Sequence, residues 1–279
     1  MKLATVSKGG QQLFGALTER GFIDLGARFK GRCLNLTELL EKNMLTEAQS
    51  LCEDAAADLP LEGLVYLPPL ARRDLRVFAL GWSYRDHQTE TGKEAPAFPS
   101  VFTKFGSTLV GHQQPLIKPA VSDTFDYEGE VALIIGKGGR NIPEKDGLSH
   151  IAAFSILMDG SCREWQKHSV TTGKNFDASS SFGPCIVTRD EIPDHGAMVL
   201  TTRLNGSVMQ HSAFANMVWD LGYLVNYLST MCELRPGDVI STGTPSGVGA
   251  RRNPPVFMKV GDTLEVEVTG IGQLTNKIQ

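Results

Sequence analysis

The sequence of 279 residues has few of the features that mark secreted, zinc-binding or membrane proteins. Its five cysteines are scattered and form no C-x-x-C pair, so we expect reduced thiols, neither disulfides nor a zinc site. It has no run of about 18 apolar residues, and its first residues, MKLATVSKGGQQLF, lack the apolar core of a secretory leader. These absences predict a cytoplasmic protein that does not associate with a membrane.

An excess of positive charge is also missing. Lys and Arg number 27 against 31 Asp and Glu, which gives a formal net charge of −4, and the densest cationic runs are pairs such as Arg251-Arg252. Binding to nucleic acid is therefore not expected. With 41% hydrophobic and 21% charged residues, the composition is that of a folded globular protein.

The chain changes its pattern near residue 70. Short strand-like segments and a helical stretch precede "YLPPLARRDLR", where two adjacent prolines forbid a helix. Beyond this point strands of uneven spacing dominate, with one apolar-striped helix predicted from Ala213 to Met231. We predict an α+β, mainly β fold, with a small N-terminal α/β domain at 1–70 and a larger domain at 71–279.

Two glutamates, Glu128 and Glu130, lie in "DYEGEVALIIG", where they share one face of a predicted strand with Cα atoms about 7 Å apart. The same chain offers a comparison in "DTLEVEVTG". There Glu265 and Glu267 alternate with apolar residues, which predicts a strand with one face in water. The first pair is followed by apolar residues on both faces, so its charges are expected to be buried.

Buried like charges require protonation of one group or a neighbouring cation. Gly129 between the two glutamates leaves room for a ligand to approach. Oxygen ligands without His or Cys favour Mg²⁺, Mn²⁺ or Ca²⁺ over zinc. From these residues alone, a metal site and a salt-bridged structural pair both stay open.

A third carboxylate, Asp159, ends the apolar strand of "AAFSILMDGSCREWQ", as if a second buried strand brought an acid to the same end of a sheet. The alternative is an ordinary Asp-Gly turn. Arg163 and Gln166 follow on the side that Asp159 would share if the chain becomes helical. Arg163 is a candidate for binding a substrate carboxylate, or it pairs with Glu164 or another neighbour on the surface.

The segment "GWSYRDHQTETG" sets His87 and Glu90 three residues apart, within contact on one face of a short helix. A carboxylate that orients an imidazole makes a general base for water. Because the segment is polar and flanked by glycines, it is typical of a mobile lid. An exposed helical pair without a function is the alternative.

Six motifs in this order resemble the fumarylacetoacetate hydrolase family across residues 71–279: "GWSYRDHQTETG", "FDYEGEVALIIGK", "MDGSCREWQ", "GKNFDASSSFGP", "LNGSVMQ" and "LRPGDVISTGTPSGVG". The resemblance implies a mixed β-roll catalytic domain and a divalent-metal enzyme, usually a homodimer. It also implies a substrate that is a 2-oxo acid with a second carbonyl group.

The resemblance also assigns roles to individual residues. The implied metal ligands are Glu128, Glu130 and Asp159, with Mg²⁺ expected ahead of Mn²⁺ and Ca²⁺, and the implied catalytic residues are His87, Glu90 and Lys174. The implied substrate contacts are Arg163, Gln166 and Thr244, to which we add Tyr84 from the lid segment. Local sequence alone favours a solvated surface lysine at position 174. Trp82-Ser83 and Cys162 depart from the family pattern, which affects the expected substrate preference.

The resulting hypothesis is a hydrolase that cleaves a C–C bond in a 2,4-dioxo acid such as an acylpyruvate or fumarylpyruvate, in the catabolism of aromatic compounds or sugar acids. His87 would deprotonate water, while Lys174 and Gln166 would steady negative charge. The same site would serve an oxaloacetate decarboxylase, or an isomerase or hydratase of unsaturated 2-oxo acids. A third alternative is a non-catalytic protein that binds 2-oxo acids.

Overall fold

The computed structural model describes residues 1–72, 74–91 and 96–279. Its strands are β1 (Lys2–Lys8), β2 (Gln11–Thr18), β3 (Gly21–Asp24), β4 (Val65–Tyr66), β5 (Val77–Gly81), β6 (Ser100–Lys104), β7 (Leu109–Val110), β8 (Phe125–Asp126), β9 (Gly129–Ile135), β10 (Ile151–Met158), β11 (Ser161–Cys162), β12 (Ser180–Thr188), β13 (Val199–Leu204), β14 (Ser207–Ala213), β15 (Val239–Ser241), β16 (Thr263–Val268) and β17 (Gly272–Lys277). Its helices are α1 (Leu25–Phe29), α2 (Leu36–Glu41), α3 (Leu45–Cys52), α4 (Arg85–Thr91), α5 (Glu144–Gly147), α6 (Arg163–Gln166), α7 (Val170–Lys174) and α8 (Leu221–Met231). The predicted class, α+β and mainly β, is confirmed.

Most of the described strands belong to one large mixed sheet of order β3-β2-β1-β12-β10-β9-β15-β5-β6, with β4 beside β1 and β7 beside β12. A second sheet has the order β14-β13-β16-β17, and β11 pairs with β8. Strand β9 lies inside the large sheet, between antiparallel neighbours β10 and β15. The strand that contains Glu130 and directly follows Glu128 is therefore central.

The N-terminal strands join the large sheet through β1, which pairs with β12 at Lys2↔Val187 and Leu3↔Ile186. One apolar cluster contains residues from both sides of position 70, including Phe14 and Ile134. The division into domains 1–70 and 71–279 stays a prediction, and these contacts show that the two parts pack extensively against each other.

Burial along β9 follows the predicted pattern, since all seven of its residues are buried. Val131 and Leu133 face one apolar cluster, while Ala132 and Ile134 face the other. In β16, by contrast, buried and half-buried residues alternate. The predicted difference between the two Glu-x-Glu strands is confirmed.

The predicted start of the long helix at Ala213 is wrong. Residues 207–213 form β14, and α8 begins only at Leu221, where the side chain of Asp220 accepts a 2.8 Å hydrogen bond from the N–H of Tyr223. Apolar spacing extended the prediction too far because it takes no account of this cap. None of the helices in residues 1–72, 74–91 and 96–279 is long and apolar enough to cross a membrane.

Candidate active site and metal centre

The three predicted carboxylates meet at one edge of the large sheet. Strands β9 and β10 are antiparallel and pair Gly129 with Met158, so the start of one strand lies beside the end of the other. The N–H of Asp159 donates to the carbonyl of Glu128 at 2.8 Å, which continues the pairing past the strand ends. Glu128, Glu130 and Asp159 are all buried, and one carboxylate oxygen from each lies within 4.8 Å of the others.

The glycine between the two glutamates serves close packing of protein. A Cβ atom on Gly129 would lie 2.3 Å from Oγ1 of Thr202 and 2.9 Å from a methyl group of Val266. The second sheet thus covers this position, so the expectation that Gly129 leaves room for a ligand is wrong. Any larger residue would force the two sheets apart.

Two buried lysines neutralise part of the acid cluster. Nζ of Lys174 lies 2.5 Å from Oε2 of Glu128 and 2.7 Å from Oδ2 of Asp159. Nζ of Lys104 lies 2.7 Å from Oδ1 of Asp159 and donates to the carbonyl of Lys174. Both lysines are 2% exposed, so the interpretation of Lys174 as a solvated surface residue is wrong.

Glu128 and Glu130 differ in their electrostatic surroundings. Burial opposes the charge of Glu128, but Lys174 and Arg163 outweigh it and hold its pKa below the usual range. Burial raises the pKa of Glu130, and the charges of Asp159 and Glu128 raise it further. Of the three carboxylates, Glu130 is the one that forms no ion pair with residues 1–72, 74–91 and 96–279.

The hydrogen bonds of Glu130 leave one oxygen atom unused. Its Oε2 accepts from the hydroxyl of Ser241 at 2.5 Å and from the N–H of Gly243 at 3.0 Å. Its Oε1 is buried and has no hydrogen-bond partner in the described part of the chain. A buried carboxylate oxygen without a partner, in a cluster of oxygen donors, fits a hard divalent cation. The residues present therefore suit the expected metal.

His87 and Glu90 meet within α4. Nδ1 of His87 lies 3.0 Å from Oε2 of Glu90, and Oε1 of Glu90 accepts from the N–H of Gly247 at 2.9 Å. His87 is 7% exposed, which differs from the alternative of an exposed helical pair. With Nδ1 engaged, Nε2 is the ring nitrogen left for proton transfer.

A cavity of about 570 Å³ brings these groups together. Its volume lies within the range of small-molecule sites. Six of its lining residues are expected site residues: His87, Glu128, Arg163, Gln166, Lys174 and Thr244. The base, Glu128 of the acid cluster and the buried lysine thus border one space.

Arg163 also lines this cavity, but protein groups already engage its guanidinium. Nε and Nη2 lie 2.8 and 2.7 Å from Oδ2 of Asp126, and Nη2 lies 2.7 Å from Oε1 of Glu128. Nη1 donates to Oε1 of Gln166 at 3.1 Å. In this structure Arg163 supports the acid cluster, and its pairing is with Asp126 and Glu128 instead of the expected alternative, Glu164.

Tyr84 is the one expected substrate contact that lies outside the cavity lining. Its side chain is fully buried and packs edge-on against Phe214, with ring centroids 6.5 Å apart. The sequence grouped Tyr84 with His87 because they are neighbours along the chain. Tyr84 belongs to the buried apolar cluster that also contains Phe214, so its ring lies in the core. This placement differs from the expected contact with a substrate.

Two polar residues that the sequence analysis did not select organise the site. Asp126 accepts hydrogen bonds from the N–H groups of Gly249 at 2.8 Å and Ala250 at 2.9 Å, in addition to its ion pair with Arg163. Gln210, in β14, accepts from the N–H of Gly129 at 2.9 Å. Both lie in quoted motifs, "FDYEGEV" and "LNGSVMQ", yet their own roles depend on contacts distant in sequence.

Comparison with known proteins identifies the family. The family model described as fumarylacetoacetate (FAA) hydrolase C-terminal matches residues 76–279, so the chain belongs to this family. The chain is 37% identical over 266 residues to a mitochondrial oxaloacetate tautomerase of Bos taurus, which aligns 92% of this chain with 84% of that protein. It is 32% identical over 283 residues to the fumarylacetoacetate hydrolase domain-containing protein 2 homolog of Dictyostelium discoideum, covering 95% and 92% of the two chains.

Solved structures agree with the fold along the whole chain. The fumarylacetoacetate hydrolase of psychrophilic Exiguobacterium antarcticum superposes with a TM-score of 0.85 at 30% identity, covering 100% of this chain and 99% of that one. A maleylpyruvate hydrolase of a Sphingobium species, in complex with manganese(II) ion and pyruvate, has a TM-score of 0.83 at 25% identity, with 100% and 98% covered. The resemblance drawn from the motifs is confirmed at the level of family and fold, and members of this family are enzymes.

Proposed function

We propose that this chain is a divalent-metal-dependent enzyme that interconverts the enol and keto forms of oxaloacetate. The observation that carries the proposal is the shared cavity, which is lined both by a histidine oriented by Glu90 and by Glu128, one member of the buried cluster of three carboxylates. The similarity to an oxaloacetate tautomerase along 92% of the chain supports this reaction. The conversion moves one proton between the C2 oxygen and C3 and needs no other reactant.

We propose Mg²⁺ as the metal, with Mn²⁺ as the first alternative and Ca²⁺ as the second, held by Glu128, Glu130 and Asp159. When bound, such an ion supplies Lewis-acid chemistry to the oxygens of a 2-oxo acid. The unpartnered oxygen of Glu130 supports this assignment. The manganese and pyruvate in the Sphingobium structure support the same kind of site.

In this proposal the side chains of the chain handle the proton and the negative charge. Nε2 of His87 exchanges the proton at C3, while Nδ1–H donates to Glu90 and keeps the ring in one tautomer. The N–H of Gly247 fixes the far oxygen of Glu90 and so limits the rotation of the pair. Lys174 and Gln166 border the cavity, where an ammonium and an amide steady charge that develops on a substrate oxygen.

Hydrolysis of a C–C bond in a 2,4-dioxo acid is the second candidate. The pair of His87 and Glu90 favours it, because an oriented imidazole can also deprotonate water. The oxygen of that water would add to the C4 carbonyl, and cleavage between C3 and C4 would release pyruvate and a carboxylic acid. The likeness to a maleylpyruvate hydrolase supports this candidate at 25% identity. A homodimeric assembly and a cytoplasmic location also stay proposals.

A substrate panel separates these candidates. Enolic oxaloacetate, several acylpyruvates and fumarylpyruvate would be followed by their enol absorbance with Mg²⁺, Mn²⁺ or EDTA, and oxaloacetate samples would also be tested for CO₂. We expect metal-dependent loss of the oxaloacetate enol without CO₂ release. Turnover of the dioxo acids alone would select the hydrolase, and CO₂ release would select a decarboxylase. Metal-dependent binding without any turnover would overturn both enzymatic candidates in favour of a binding protein.

A further inference from the structure

We infer that Arg251 and Lys167 form a subsite for the distal carboxylate of a dicarboxylic 2-oxo acid. This inference rests on the proposed function and deepens it, because it names the residues that would select a dicarboxylate over a monocarboxylate. The distal carboxylate is the one farther from the buried acid cluster. Three observations carry the inference: the inner cations are engaged, the outer cations are not, and the loop that holds Arg251 is anchored.

The inner cations of the cavity already have carboxylate partners from the protein. Arg163 is shared between Asp126 and Glu128, and Lys174 lies between Glu128 and Asp159. The positive charge of each is therefore already offset by buried carboxylates, and a ligand carboxylate that displaced one of these would have to break a buried ion pair. Breaking such a pair leaves an uncompensated buried charge, which is strongly unfavourable.

The outer cations have no such partners. Lys167 and Arg251 line the same cavity and are exposed, so they lie toward its opening. Neither side chain has a hydrogen bond or ion pair to any group in the described part of the chain. Lys167 directly follows α6, and Arg251 lies in the loop after β15, so the two approach the cavity from different elements. Their charges are available to a ligand.

The loop around Arg251 is fixed before any ligand binds. The N–H groups of Gly249 and Ala250 donate to the two oxygens of Asp126, at 2.8 and 2.9 Å. On the other side, the guanidinium of Arg252 donates to the carbonyl of Met209 at 2.6 Å. Anchoring on both sides holds the backbone of Arg251 beside the cavity, which reduces the entropy lost when a ligand binds.

This chain requires glycine at position 249 to make that anchor. A Cβ atom there would lie 1.8 Å from the carbonyl oxygen of Val256 and 2.6 Å from Oδ1 of Asp126. The close approach lets the loop bind the same carboxylate that pairs with Arg163. Asp126 thus connects the inner, engaged cation to the loop that presents the outer, unengaged one.

The chemistry of the subsite follows from these groups. An arginine fork and an ammonium near an opening suit a carboxylate. Oxaloacetate and pyruvate differ only in the carboxylate on C3, so a subsite for that group should separate them. A monocarboxylic 2-oxo acid would leave both cations without a partner.

Calorimetry with Mg²⁺ present tests the inference through ligands in pairs. Oxaloacetate is compared with pyruvate, and malate with lactate, since each pair differs by one distal carboxylate. In the double variant Arg251→Gln/Lys167→Gln we expect oxaloacetate and malate to bind about 10- to 100-fold more weakly. Pyruvate and lactate should change by less than about twofold, because they do not reach the subsite.

The matched control removes the same two charges elsewhere, in Arg20→Gln/Lys259→Gln, where both side chains are exposed and lie outside the cavity lining. It should bind all four ligands as the unmodified chain does, and thermal melts should show that both double variants are folded. Equal weakening of both members of a pair, or unchanged preference for the dicarboxylates, would overturn the inference. Malate and lactate carry no ketone, so the preference of the protein for malate can be measured even if oxaloacetate is not turned over. Failure of the subsite inference can therefore be distinguished from failure of the proposed tautomerase activity.

Discussion

Replacement of Gln210 by leucine should destabilise the fold and weaken metal binding together. Gln210 is 1% exposed and reaches from the second sheet to the start of β9, where its Oε1 accepts from the N–H of Gly129 at 2.9 Å. Its Nε2 donates to Oγ1 of Thr244 at 2.7 Å and to the carbonyl of Pro245 at 3.0 Å. One amide thus connects Gly129, at the start of β9, to Thr244 and Pro245 in the loop that follows β15.

The magnitude follows from the partners that the variant leaves behind. Leucine would leave the buried N–H of Gly129 and the buried carbonyl of Pro245 without this hydrogen-bond partner. Each unsatisfied group should cost about 1 to 3 kcal/mol of the free energy of unfolding. Thr244 would lose less, because its hydroxyl still donates to the carbonyl of Gly129 at 3.0 Å. The free energy of unfolding should therefore fall by about 2 to 6 kcal/mol. Since Gly129 lies between two expected ligands, Mg²⁺ affinity should fall as well.

Urea unfolding and Mg²⁺ calorimetry would measure the two effects. Gln273→Leu is the matched control, because Gln273 is exposed and its amide donates to Oε1 of half-buried Glu265 at 2.6 Å. That control should change the free energy of unfolding by less than about 0.5 kcal/mol and leave Mg²⁺ binding unaltered. If Gln210→Leu unfolds at the same urea concentration as the control and binds Mg²⁺ equally well, the reasoning about this amide is refuted.

Three further predictions concern single groups. Glu130→Gln should lower Mg²⁺ affinity in calorimetry at least about tenfold, whereas Glu265→Gln, on the half-solvated strand, should leave it unchanged. His87→Ala should slow turnover of the preferred 2-oxo acid by about 10²- to 10⁴-fold with Mg²⁺ affinity unaltered, and an undiminished rate would contradict the proposed base. Burial raises the pKa of Cys185 to about 11, so its thiolate fraction rises only as pH approaches that value. At pH 8 a thiol reagent should therefore modify half-buried Cys232 before Cys185. Mass spectrometry would locate the label, and labelling of Cys185 before Cys232 would contradict the structure.

Much of the acid cluster could be predicted from local sequence, because the alternation of polar and apolar residues along a strand indicates which of its faces are buried. The run after Glu130 is apolar on both faces, which predicts a central strand, and the run before Asp159 predicts another. Two buried strands that carry acids at opposite ends place those acids together only if they are antiparallel neighbours. That pairing is a long-range property, so the sequence suggested the cluster but could not establish it.

The neutralising groups lay beyond such reasoning. Lys174 is 46 residues from Glu128 along the chain, and nothing local distinguishes it from a surface lysine. Lys104 and Gln210 carry no pattern of their own, since each is defined by the partners it meets after folding. Tyr84 shows the opposite error, because proximity in sequence to His87 was taken as proximity to the cavity.

The distribution of charge explains how this cluster can fold and still favour a metal. Buried carboxylates are unfavourable unless they are paired, and the chain pairs Glu128 with Lys174 and Arg163, and Asp159 with Lys174 and Lys104. Folding therefore does not depend on an added cation to neutralise these two. Within the part of the chain that the structure describes, Glu130 receives a hydroxyl and an N–H but no cation, which makes it the group whose charge an incoming cation would stabilise most. A change at Glu130 should thus separate metal binding from folding, whereas loss of Lys104 would remove the cation beside Oδ1 of Asp159 and leave that carboxylate paired with Lys174 alone.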